Sequence, residues 1–358
     1  MKIASFETRA VCVPREPGPP VGGANVAPFV TLTLRTDEGI EGMGYAGFVS
    51  DVILKPLHEL VNALTELVIG SDPMDIEAIG KRLRAVGGGS PEGMLTRASA
   101  AIDVALWDIK GKALGQPVHK LLGGYRDRMP AYASGFLWRT YDLEALATTG
   151  ARLVEEGYTS MKFRLGGEKT PAAELERARV MREAVGDGVD IMVDINQGWD
   201  VNQSISIGRR LEEYGLYWFE DPTDHLDYPG LARIADALTM PVAAGEYHYG
   251  IAPFRHMLEH RSIDIVMIDL LRAGGITQWM KAAHMAEAFN LPVVSHLAPE
   301  ILAHTMVAIP NGLTVENMPW SAPLFQEVPA IENGEIILSD APGLGLAWDL
   351  EALDAFAA

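Results

Sequence analysis

At 358 residues, 48% of them hydrophobic and 22% charged, the chain has the apolar content of a large folded interior and the length of two domains. A formal net charge of −19 repels phosphate backbones, which excludes nucleic acid as an expected partner, and it supplies many carboxylates for a hard cation. The single cysteine, Cys12, excludes an intramolecular disulfide. With no signal-like segment after Met1 and no apolar stretch long enough for a bilayer, the expectation is a cytoplasmic protein without membrane association.

Residues 2–12 read as an edge strand, followed by a Pro/Gly-rich loop over 14–28. Two strand-like runs, F-V-T-L-T-L-R-T and I-E-G-M-G-Y-A-G, are joined by D-E-G, a hairpin signal. From about 51 to 123 the pattern turns helical, and Ile102, Ala105, Leu106 and Ile109 share one stripe of the segment 97–115. Three strands followed by helices make an α+β unit.

From about residue 129 short apolar strands alternate with amphipathic helices. The expected strands are 129–134, 160–165, 190–194, 217–220, 241–246, 264–269, 292–296 and 313–316. Strands separated by helices are parallel, with right-handed crossovers. Eight of them predict a closed (β/α)8 barrel, and no G-x-G-x-x-G follows an early strand to support an open dinucleotide-binding sheet. After Glu316 the repeat stops; E-N-G-E (332–335) can turn a small hairpin in a tail expected to pack on the N-terminal unit.

Active sites of such barrels lie at the C-terminal ends of the strands. Those ends carry Lys162 and Arg164, Asp194, Glu220, Glu246, Asp269, His296 and Glu316. Asp194, Glu220 and Glu246 are spaced 26 residues apart, one βα unit each, which sets three carboxylates side by side. Left unpaired they repel one another; an oxygen-only set points to Mg²⁺ rather than zinc. Each acid taken singly also reads as a helix cap. Asn196, two beyond Asp194, is a candidate outer or substrate partner, whereas Asp221 is expected to face away from the site as the strand neighbour of Glu220.

Asp269 and His296 end adjacent strands, an arrangement that orients an imidazole and makes it a general base or acid. His248, His284 and His304 lack such company and read as structural or surface residues. Glu316, if held neutral, can protonate or hydrogen-bond a developing enolate oxygen; a cap or ion-pair role is the alternative. Lys162 and Arg164, two apart and so on one side of an extended strand, face a substrate carboxylate or balance the acidic trio.

The motifs A-A-I-D-V-A-L-W-D-I-K-G-K (100–112), I-M-V-D-I-N-Q (191–197), W-F-E-D-P (218–222), A-A-G-E (243–246), D-L-L-R-A-G-G-I-T (269–277), S-H-L-A-P-E-I-L-A-H (295–304) and D-A-P-G-L-G-L-A-W (340–348) together resemble the enolase superfamily, and within it the mandelate racemase subgroup. The resemblance implies a modified TIM barrel over 126–324 under a capping domain built from 1–125 and the tail 325–358. It implies Asp194, Glu220 and Glu246 as Mg²⁺ ligands, a His296–Asp269 base, Glu316 as electrophilic acid, and catalytic places for Lys162 and Arg164. The loops 14–28 and 46–52 would close over the substrate, with Trp138 as a pocket wall. A small-molecule carboxylate is the implied substrate, and a symmetric homo-oligomer the expected assembly.

In one place the sequence departs from the subgroup, whose racemases usually carry Lys-x-Lys on the second strand. Here the second position is Arg164, a poor base. The reading therefore favours dehydration of a sugar acid, aldonate or aldarate, by His296 alone. The alternatives are a racemase or epimerase of a 2-hydroxy acid and a lactone cycloisomerase. A non-catalytic scaffold would be expected to have lost part of the metal set or the dyad, and all five residues are present.

Overall fold

The computed structural model describes residues 1–15, 25–88 and 92–358. Strands β1 (Ile3–Pro14), β2 (Val26–Thr36) and β3 (Glu41–Gly47) form an antiparallel sheet in that order. The β2–β3 turn runs through Asp37, Glu38 and Gly39, the last at φ 81°, as the D-E-G signal predicted. Helices α1 (Asp51–Glu66), α2 (Ile76–Ala85) and α3 (Met94–Leu114) follow.

Helix α3 is apolar on almost every side and buried along most of its length, the pattern of a helix enclosed by other elements. It lies against β3 so closely that a Cβ on Gly42 or Gly44 would come 2.2 Å from the Ala105 carbonyl oxygen or 2.1 Å from that of Ala101. Only glycine permits this contact. The stripe Ile102, Ala105, Leu106 and Ile109 is buried with Leu32, Leu34 and Val61 in a core belonging to this unit.

Eight parallel strands then close on themselves: β4 (Arg128–Leu137), β5 (Ser160–Arg164), β6 (Asp190–Asp194), β7 (Trp218–Glu220), β8 (Val242–Ala244), β9 (Ile265–Asp269), β10 (Val293–His296) and β11 (Gly312–Asn317). Each pairs with the next and β11 pairs with β4, so the sheet is a barrel. Helices starting at Leu143, Pro171, Val201 and Tyr228 are capped by the side chains of Asp142, Thr170, Asp200 and Asp227, each satisfying an otherwise free N–H. The barrel interior is filled by Tyr132, Met192, Trp218, Ala243, Met267 and Val294, a packed core rather than a pore.

The tail forms the expected hairpin, β12 (Ala330–Glu332) and β13 (Glu335–Ile337), turned by Asn333 and Gly334 at φ 52° and 76°. Its docking is wider than expected. Strand β13 pairs antiparallel with Arg128–Pro130 of β4, whereas β11 takes Ala131–Ala133 of the same edge. Farther on, Trp348 donates to Thr33 on β2 (3.0 Å) and Ala357 bridges Val11 on β1, so the tail joins barrel and N-terminal sheet. Among the described residues, no helix is long and apolar enough to cross a membrane.

Candidate active site

The barrel register sets Arg164 of β5 beside Asp194 of β6, with Lys162 two residues earlier beside Met192, Asp194 beside Glu220 of β7, and Asp269 of β9 beside His296 of β10. Lys162 is 1% exposed. Its ammonium contacts Glu220, lies 3.0 Å from Glu316 Oε1 and 3.9 Å from Asp194 Oδ2, and sits 5.8 Å from the Tyr132 ring. Arg164 reaches the same Asp194 oxygen with Nε at 3.4 Å and stacks over Trp138 at 4.2 Å. Both cations therefore share one side of the strand. Lys162 neutralises the carboxylates at the bottom of the site; Arg164 alone of the two lines the cavity above.

Carboxylate oxygens of Asp194, Glu220 and Asp221 all lie within 4.8 Å of one another. The expectation that Asp221 faces away is corrected here. Strand β7 ends at Glu220, Asp221 takes a left-handed φ of 40°, and strand alternation stops applying. Both Asp221 oxygens are buried with no hydrogen-bond partner. Glu246 lies beyond the end of β8, after Gly245 at φ 134°. One of its oxygens is 3.1 Å from His296 Nε2 and the other 3.8 Å from Arg272. Of the expected trio, Asp194 and Glu220 meet directly, and Glu246 stands next to the imidazole.

Burial pushes the Glu220 carboxyl up to about 8, with Asp194 and Glu246 adding to the rise and Lys162 opposing it. Burial likewise drives Asp221 well above the usual carboxylate range, helped by Glu246 and Glu220. A divalent cation bound to acids held in this way would displace their protons into solvent. An orphaned buried carboxylate, an all-oxygen donor set and the absence of thiolate or imidazole from the cluster fit Mg²⁺.

His296 Nδ1 is 2.8 Å from Asp269 Oδ2. The other Asp269 oxygen accepts from the Arg272 N–H at 2.6 Å, so Asp269 caps a short helix and orients the ring at once. Burial alone would lower the imidazole, but Glu246, Glu316 and Asp269 hold it above its ordinary value. Asp269 stays ionised against burial because His296 and Arg272 pull it down.

Glu316 faces the Lys162 ammonium at 3.0 Å, the ion-pair alternative of the sequence reading. Although burial opposes it, Lys162, His296 and the Leu297 N–H hold its carboxyl down to about 2. It accepts from Ser134 at 2.8 Å and from Leu297 N at 2.6 Å, and is an ionised acceptor in this arrangement.

Above these groups opens a cavity of about 400 Å³ lined by Arg164, Asn196, Glu246 and His296 from the barrel, and by residues of the 46–52 loop. Asn196 donates to Asp194 Oδ2 at 2.8 Å and accepts from Arg139 at 2.5 Å, so it both orients the carboxylate and faces the cavity. Trp138 forms a wall, stacked in parallel on Trp320 with ring centres 6.0 Å apart. Residues 16–24 of the 14–28 loop lie outside the described residues; its flanks contribute Arg15 and Val26. Arg15, Trp320, Tyr247 and Arg272 were missed from sequence. Arg15, Trp320 and Tyr247 sit in loops without periodicity and Arg272 in a helix of one turn; a charged residue inside a Pro/Gly-rich run was the only signal for Arg15. A second cavity of about 440 Å³ lies between α2, α3 and the barrel. It holds none of the strand-end groups; its ionisable lining is Arg84, Glu92, Asp103, Tyr249 and Lys281.

Residues 6–123 match the family described as mandelate racemase / muconate lactonizing enzyme, N-terminal domain, and residues 145–353 match the family enolase C-terminal domain-like. The chain belongs to the mandelate racemase subgroup of the enolase superfamily. Similar enolase-superfamily proteins include an L-talarate/galactarate dehydratase of Salmonella typhimurium, 32% identical over 90% of this chain and 81% of the relative. An arabinonate dehydratase of Saccharolobus solfataricus is 31% identical, covering 88% and 87% of the two chains. An L-talarate dehydratase from Polaromonas sp. JS666, solved with Mg and L-glucarate, superposes with a TM-score of 0.93 at 29% identity, covering 100% of this chain and 97% of the other.

Proposed function

We propose that this enolase-superfamily enzyme dehydrates a sugar acid in a Mg²⁺-dependent reaction begun by removal of the proton α to the carboxylate. The observation that carries this reading is the asymmetry of the proton-handling groups. His296, paired to Asp269 at 2.8 Å, is a competent base at one wall of the cavity. The group on β5 that also lines it is Arg164, which keeps its proton.

Asp194 and Glu220, with Glu246 or Asp221 beside them, are the groups that would hold Mg²⁺. Bound there, the ion draws charge from the substrate carboxylate and makes the α-hydrogen acidic. Asp269 keeps the Nδ1 proton of His296, so Nε2 accepts the α-proton. The imidazolium formed then returns that proton to the β-hydroxyl as it leaves, and water departs. The enol left behind tautomerises to a 2-keto-3-deoxy acid. Lys162 and Arg164 keep positive charge near the carboxylate as negative charge develops on it. Glu316 anchors Lys162 and the Leu297 backbone. A symmetric homo-oligomer remains part of this proposal, to be read by light scattering.

The test is a screen of aldonates and aldarates with Mg²⁺, followed by keto-acid formation in D₂O. Dehydration yields a keto acid. Racemised or epimerised substrate without keto acid would overturn the reading.

A further inference from the structure

Arg15, a cation of the cavity wall, has no use in the steps above. Arg15 lies just past the end of β1, in the capping unit, and is 7% exposed. Its backbone N–H donates to Asn25 O at 2.9 Å, which fixes its place at the rim. Its guanidinium lies over the Trp320 ring at 4.4 Å. Trp320 is stacked on Trp138, and Trp138 carries Arg164 on its ring. A chain of flat groups thus ends in a cation at each extremity, one from the cap and one from the barrel, both in the same cavity wall.

Arg164 is paired with Asp194. Arg15 is not paired: its Nε and Nη1 are buried without a hydrogen-bond partner among the described residues. Asp51 lines the cavity too, but one of its oxygens is engaged by Ser50 Oγ at 3.0 Å and Val52 N at 2.9 Å. Desolvating a guanidinium without a counter-charge is costly. In a protein with 48 acidic residues against 29 basic ones, a buried arginine with free donors is a seat for an anion from outside.

Given the dehydration reading, we infer that Arg15 binds a second, distal carboxylate, and that the substrate is an aldarate rather than an aldonate. The first carboxylate lies at the Asp194–Glu220 end. The hydroxyls between meet the side chains of Asn196, Tyr247 and Arg272, which also line the cavity. A carboxylate matches a guanidinium fork with two parallel hydrogen bonds. A phosphate carries up to twice the charge, more than the single Arg15 guanidinium offsets.

The experiment compares kcat/KM for pairs of equal stereochemistry, galactarate with galactonate and glucarate with gluconate, in wild type, Arg15→Met and Arg15→Lys. The aldarate is favoured in wild type, and Arg15→Met reduces the aldarate-to-aldonate ratio by about ten- to a hundredfold, the worth of a charge-assisted pair. Arg15→Lys keeps a ratio between the two. A wild type that prefers aldonates, a ratio unchanged in Arg15→Met, or a Lys variant no better than Met overturns the assignment. Calorimetric binding of the same acids with Mg²⁺ to His296→Asn protein gives a second readout that needs no turnover and no change at Arg15: the diacids bind tighter. Diacid-selective binding without keto-acid formation by wild type would sink the dehydration reading and leave Arg15 standing. Keto acid formed from aldonates in preference would do the reverse.

Discussion

Asp269 Oδ2 lies 2.8 Å from His296 Nδ1, and the same carboxylate caps the helix that begins at Leu270. The base is therefore held by a group that is itself fixed by backbone. Replacing His296 by Asn removes the proton acceptor while leaving the carboxylate cluster in place. Turnover is expected to fall by about 10³- to 10⁴-fold, with Mg²⁺ binding retained when measured by calorimetry.

The pH profile follows from the same pair. The imidazole is held above its ordinary value in part by Asp269, and it must lose its proton to act as a base. kcat/KM is thus expected to rise with pH through an acid limb set by His296. Asp269→Asn removes one of the raising groups, so the limb moves to lower pH and the plateau drops by about a hundredfold or more. A limb that stays in place would assign the titration to another group.

Metal removal tests the acidic cluster. EDTA-treated protein is expected to be inactive and to regain activity with Mg²⁺. At Mg²⁺ about a hundred times its Kd, folding gains about 2.7 kcal/mol, read as a rise in Tm. Glu220→Gln should abolish that rise, and Asp221→Asn should weaken it, because each variant removes a buried carboxylate from the group within 4.8 Å.

The barrel and its acidic ends were legible because one βα unit spans about the same number of residues each time, so charged residues at strand ends fall at a regular interval. Asp194, Glu220, Glu246, Asp269 and His296 follow that rule. Asp221 does not, since it lies past the end of β7 at a left-handed φ of 40°, where alternation carries no information. The partners of Glu316 were not legible for a different reason: its donors, Lys162, Ser134 and the Leu297 N–H, come from three other segments, and no local pattern announces them. Trp320 and Arg15 are distant in sequence and meet only through the fold.

Solvent isotope labelling separates one-base from two-base chemistry. In D₂O, unreacted substrate recovered at half conversion should keep its configuration, because Arg164 delivers no proton to the opposite face. Epimerised substrate at more than trace level would give Arg164 a proton-transfer role.

The contact between β3 and α3 can be tested by stability alone. Gly44→Ala drives a methyl to 2.1 Å from the Ala101 carbonyl oxygen. The cost is expected at about 2 kcal/mol or more, measured by denaturant unfolding. An exposed control, Gly70→Ala, meets nothing within 4 Å but sits at φ 78°, so it should cost only the strain of that backbone, about 1 kcal/mol.

The reacting groups stand at the ends of barrel strands, whereas Arg15 follows β1 in the capping unit and lines the same cavity. Recognition and reactivity are thereby inherited on separate stretches of chain. A lineage can trade one acid for another by rewriting the overhanging segment, without disturbing the proton relay beneath. Laboratory recombination of caps among relatives should yield altered diets more readily than altered chemistry.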